Sequence, residues 1–145
     1  MIFGRKCWLE KVGVDELKQG IIDLDLKLDV LAMKLEEIGI EKEYLEAIRR
    51  GEPGSRYMEH QVGMIGIEYR DQLIQYKLLA SRRNALSLVL LLKNNLEYVK
   101  NSNAWDKITK MDKESLIKAL SSISREAESI DEVLEKIVNY SGEGS

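Results

Sequence analysis

Between Leu17 and Ile48 the chain carries two apolar stripes on what reads as a single helix, and few folds can use both. Leu17, Ile21, Leu24, Leu28, Leu31, Leu35 and Ile38 are spaced 4, 3, 4, 3, 4, 3, and the register resumes at Leu45 after Lys42 takes a core position. That is a coiled-coil seam. A second series, Ile22, Leu26, Val30, Met33, Ile40, Tyr44 and Ala47, falls on the opposite side of the same helix. A surface helix of a monomer normally pairs one apolar stripe with one polar face, so the second stripe calls for another layer of the chain or another molecule.

The stop is clear. Gly51-Glu52-Pro53-Gly54 ends the first helix with glycines around a helix breaker, and Arg49 and Arg50 suit the negative end of its dipole. Asp15 reads as its N-cap, and Ser55 as the cap of a second helix running from Arg56 to Lys100. So short a connection makes the pair an antiparallel hairpin. The second helix is also two-faced: Met58, Val62, Ile65, Tyr69, Leu73, Tyr76 and Leu79 or Ala80 form one stripe, and Ile67, Ile74, Leu78, Ala85, Val89, Leu92, Leu96 and Val99 the other. Gly39, Gly63 and Gly66 interrupt these helices, each at ~1 kcal/mol relative to Ala. Gly39 and Gly66 fall at similar levels, which reads as close backbone approach or as a hinge.

After Asn101-Ser102-Asn103, Asn103 is placed to cap a short helix containing Trp105, Ile108 and Met111. Asp112 then caps a last helix, in which Leu116, Leu120, Ile123, Ala127, Ile130, Leu134 and Ile137 repeat the heptad spacing. No strand pattern interrupts this series. The expected fold class is all-α: a long antiparallel helical hairpin followed by shorter amphipathic helices. Three stretches follow: an N-terminal segment over 1–14, the hairpin core over 15–101, and C-terminal helices with a polar tail over 102–145.

Charge is uneven along the chain although the total is only −3. Residues 15–50 hold six bases against ten acids, and residues 55–100 hold seven bases against four acids. Neither is basic enough to make nucleic acid the expected partner. A single cysteine, Cys7, and an N-terminus without a sustained apolar run point to the cytoplasm. The apolar run Leu86 to Leu92 is far shorter than the ~20 residues of a membrane span.

Catalytic chemistry has few candidates. His60 is the lone histidine, Glu59-His60 lacks the i, i+3 spacing of a bundle metal site, and Gly63-x-x-Gly66 lies inside a helical pattern rather than between strand and helix. No enzyme activity and no cofactor are expected. At the N-terminus Ile2, Phe3, Arg5, Lys6, Trp8 and Leu9 combine bulky apolar groups with cations. That mixture suits the headgroup layer of an anionic membrane, or else a terminus folded back on the helices. The stripe Leu26, Val30, Met33, Ile40 and Tyr44 is the candidate subunit interface, unless the Leu116 to Ile137 helix folds over it as a lid.

This arrangement resembles the ESCRT-III superfamily, and within it the archaeal cell-division, CdvB-type proteins. The likeness is carried by Leu45-Glu-Ala-Ile-Arg-Arg-Gly51, Ile67-Glu-Tyr-Arg-Asp-Gln-Leu-Ile74, Leu96-Glu-Tyr-Val99, Leu116-Ile-Lys-Ala-Leu120 and Ile130-Asp-Glu-Val-Leu134. It implies a non-catalytic subunit that polymerises with itself or with paralogues on the inner face of the cell membrane and remodels or constricts it. Because residues 15–50 are acidic, membrane contact would fall to the N-terminal segment. Asp131, Leu134 and Ile137 match in part the motif that recruits a Vps4-type ATPase, directly or through a paralogue. The alternative is a discrete coiled-coil bundle acting as an adaptor or chaperone-like protein.

Overall fold

The computed structural model describes residues 6–123 and 129–141, and among these every regular element is helical. The elements are α1 (Trp8–Lys11), α2 (Val14–Gly51), α3 (Arg56–Asn94), α4 (Leu96–Lys100), α5 (Trp105–Thr109), α6 (Lys113–Ile123) and α7 (Ile130–Asn139). Helices α2 and α3 pack against each other as the expected hairpin. Its turn is set by Gly54, the only described residue in the left-handed region (φ 87°), where a Cβ would be strained. Ser55 caps α3 by accepting from the Met58 amide at 3.3 Å.

Several boundaries differ from the sequence reading. Helix α2 begins at Val14, so Asp15 lies inside its first turn, where it meets the helix dipole rather than capping it. The second long helix stops at Asn94. There the Asn95 side chain donates to Leu91 O at 2.8 Å while its own amide bonds Leu92 O at 3.2 Å, so a local side-chain bond replaces the regular ladder. Asn103 is not the cap of α5; Ala104 occupies that place, and α5 ends before Met111. Asp112 does cap α6, accepting from the Ser115 amide at 2.8 Å. The last heptad series is divided between two helices, because Ser129 in extended conformation starts α7 and accepts from the Glu132 amide at 3.3 Å. Ala127 of that series lies outside the described residues.

The chain divides into two compact units, residues 1–24 with 81–145, and residues 25–80, so each long helix contributes to both. The first unit holds a layered core. Leu9, Leu92, Ile108, Leu116, Leu120, Ile137, Val89, Val99 and Val133 are all fully buried there. Removing each such side chain from water contributes roughly 1.5–3 kcal/mol. Polar contacts fix the layers: Arg82 donates two 3.0 Å bonds to the Glu114 carboxylate, and Lys93 donates to Leu9 O (3.1 Å) and Glu10 O (2.7 Å), satisfying the last carbonyls of α1. Lys107 similarly caps the end of α7 through Val138 O and Tyr140 O.

The second unit is two helices and their turn. Leu24's seam continues here through Leu28, Leu31, Leu35 and Leu45, which are half-buried, and Ile38, Met58 and Ile65, which are buried. Arg49 and Glu59 pair across it at 3.5 Å, and a Cβ built on Gly39 would lie 3.7 Å from the Tyr69 ring. Gly66 has nothing within 4 Å of its Cβ position, so the hairpin does not need close backbone approach there.

Candidate self-assembly surface

The residues singled out as a second stripe are on the surface. Leu26, Val30, Met33, Ile40 and Tyr44 are each between 60% and 66% exposed. They sit two places off the heptad register of the seam, about 200° round the helix, on the side turned from α3. Between Leu26 and Tyr44 the row runs about 27 Å along the helix at 1.5 Å per residue. A shallow depression of about 350 Å³, lined by Leu26, Lys27, Val30, Leu31 and Leu79, opens on it.

A matching row stands on α3 within the same unit. Tyr57, Met64, Ile67, Ile74 and Leu78 are between 48% and 70% exposed. Ile67, Ile74 and Leu78 were expected on a second stripe of this helix; Tyr57 and Met64 were not assigned to one. The signal for Met64 was present, since it lies three residues before Ile67. Gly63 adds a gap in the same face, with nothing within 4 Å of its Cβ position. An apolar row on each of two helices, each turned away from the other, leaves water against both.

The N-terminal candidates separate. Ile2, Phe3 and Arg5 lie outside the described residues. Lys6 is exposed and Trp8 half-buried, whereas Leu9 is only 1% exposed and belongs to the core of the first unit. Leu9 is drawn inside by α1, a short helix that the sequence reading missed. Its capping box uses Cys7, an unusual cap residue, whose amide donates to Glu10 Oε1 at 3.2 Å. Glu10 in turn meets Lys100 at 3.3 Å. Burial pushes the Glu10 carboxyl up, but the Cys7 amide and Lys100 together hold it below its ordinary range.

The candidate ATPase contact is only partly at the surface. Asp131 is exposed and accepts a hydrogen bond from the Tyr98 hydroxyl, which raises the Tyr98 pKa. Leu134 and Ile137 are buried against the core of the first unit. A cleft of about 600 Å³ lies beside them, with Tyr98, Asn101, Asp131, Glu135 and Val138 on its walls. Among the described residues no helix is long and apolar enough to cross a membrane, and no group of three or more His, Cys, Asp or Glu side chains is gathered as a metal site. No family model, characterised protein or solved structure was found to match this chain.

Proposed function

We propose that this protein is a non-catalytic subunit that assembles into filaments through residues 25–80 and works on a membrane surface, as its resemblance to ESCRT-III-type proteins implies. The observation that supports assembly is the row Leu26, Val30, Met33, Ile40 and Tyr44, held more than half exposed on a helix whose opposite side already has a partner. Apolar surface gains ~25 cal/mol per Å² when removed from water, so covering a row of five such side chains is a substantial drive to associate. Membrane contact is assigned to Ile2, Phe3, Arg5, Lys6 and Trp8, with Leu9 kept for packing. Partners are further copies or paralogous subunits and an anionic membrane. A Vps4-type ATPase would join directly or through a paralogue, and engaging Leu134 and Ile137 would require α7 to leave its packed position.

Sizing chromatography and negative-stain microscopy, with and without anionic vesicles, test this reading. Open-ended polymers support it; a single closed particle under every condition supports a discrete bundle serving as an adaptor. The double substitution Leu26→Glu with Met33→Glu is expected to stay helical and monomeric while polymer is lost. Loss of the helical signal in that variant would make the row ordinary core and remove the main support for assembly. In the same assay, Phe3→Ala with Trp8→Ala is expected to reduce vesicle co-sedimentation.

A further inference from the structure

The cleft of about 600 Å³ between α4, the turn after it and the side of α7 plays no part in the assembly face, and its chemistry is one-sided. Its volume falls in the range that encloses small organic ligands. Asp131 and Glu135, both exposed, are its charged residues, and no base lines it. Among the described residues neither carboxylate is paired with a cation of the chain, and Asp131 accepts from the Tyr98 hydroxyl alone. Of the bases on the surrounding segments, Lys100 pairs with Glu10 and Lys107 donates to Val138 O and Tyr140 O. Lys136 lies about 100° round α7 from Glu135.

The neutral polar groups of the cleft act in the same sense. Tyr98 spends its hydroxyl hydrogen on Asp131, Asn101 spends an amide hydrogen on Glu97 O at 2.9 Å, and Ser102 spends its hydroxyl hydrogen on Val99 O at 2.7 Å. What these groups still offer is mainly acceptor capacity, on the two hydroxyl oxygens and Asn101 Oδ1. The amides of Asn103 and Asn139 can turn either end to a ligand. An anion would therefore meet two carboxylates and few donors. An alkylammonium group is the converse, with a positive charge, three donors and no acceptor.

Spacing on α7 adds a length to this chemistry. Asp131, Leu134, Glu135 and Val138 follow one another at i, i+3, i+4 and i+7, so they share a face of the helix. Carboxylates four residues apart spring from Cβ atoms about 6 Å from each other. We propose that this cleft binds a short aliphatic polyamine, one ammonium group on Asp131 and the next on Glu135, with the methylene chain laid against Leu134 and Val138. A lysine side chain of another protein brings a single ammonium group and would leave one carboxylate unmet. The site stands independently of the assembly reading, since it belongs to the unit formed by residues 1–24 and 81–145.

Calorimetric titration of spermidine into the intact chain, at about 0.15 M salt to screen general attraction, tests the site. One saturable site per chain is expected. Asp131→Asn with Glu135→Gln keeps an acceptor for Tyr98 and is expected to weaken binding at least about tenfold, with an unchanged circular dichroism spectrum. Glu36→Gln with Glu37→Gln removes as much charge from exposed positions on α2 and should bind as wild type does. N-acetyl-lysinamide, with its single ammonium group, should bind at least about tenfold more weakly than spermidine. Absence of a saturable spermidine site overturns the proposal. So does an equal loss in both double variants, which would make binding a general attraction to acidic protein, and so does equal affinity for N-acetyl-lysinamide, which would make the cleft a reader of lysine side chains. Should the cleft double variant lose helicity, Glu135→Gln alone decides, and an affinity unchanged in that variant overturns the site.

Discussion

Helix α3 passes through both compact units with one heptad pattern and two different fates. Ile67, Ile74 and Leu78 are about half or more exposed, whereas Ala85, Val89 and Leu92, further along the same stripe, have no exposure at all. The residues are chemically alike. The difference is what lies over them: in the unit formed by residues 1–24 and 81–145, α1, α5, α6 and α7 add a further layer, while residues 25–80 comprise only the hairpin and its turn. One stripe therefore serves as core where the chain supplies its own cover and as free surface where it does not.

The sharpest way to break that contrast is to cut the same side chain at both places on α3. Leu92→Ala leaves a cavity in a closed core and should cost about 2–5 kcal/mol, seen as a lowered urea midpoint. Leu78→Ala removes a side chain that is mostly in water and should cost no more than ~0.5 kcal/mol. Equal losses would mean that residues 25–80 are covered in solution.

Glycines sharpen the contrast at a smaller scale. Gly63→Ala and Gly66→Ala add a methyl group into open space and remove chain freedom, so each should raise stability by up to ~1 kcal/mol in monomeric protein. At Gly20 a Cβ would meet Leu86 Cδ1 at 3.3 Å, so Gly20→Ala should gain less, because the core must give way. Thermal melts of the monomeric protein measure these changes.

The smallest effect concerns pH. The two hydrogen bonds from Arg82 hold the Glu114 carboxyl below its ordinary value of 4.5, although burial opposes this slightly. A carboxyl depressed in the folded state contributes stability that is complete above the ordinary value and lost as pH falls through the folded value. Glu114→Gln should therefore flatten the acid limb of the stability curve below about pH 4.5. At neutral pH it should cost at most ~1 kcal/mol, since the pair is largely in water. The Lys42–Glu46 pair joins neighbours on one helix, so breaking it should change melting less than breaking Arg82–Glu114, which ties α3 to α6.

Local chemistry made the hairpin legible. The 4, 3 spacing, the Gly-Glu-Pro-Gly turn, the Ser55 and Asp112 caps and the second stripe on α2 depend on neighbours within a few residues, and the structure places them as the pattern requires. Where competing local bonds were weakly signalled, the reading ran on too far: Asn95 interrupts the second helix through its own side chain, and Ser129 starts a new one inside an unbroken heptad series. Those signals were in the sequence but did not outweigh the periodicity.

What the sequence determined by itself was the number of apolar faces, since periodicity assigns each residue to a side of its helix. What only the tertiary structure decided was which faces find cover. Leu9 is core because α1 turns it inward and Lys93 holds the end of that helix, and Leu134 and Ile137 are core because α7 packs in the first unit. Burial of this kind comes from residues distant in the chain, and a pattern read over a few turns carries no information about them.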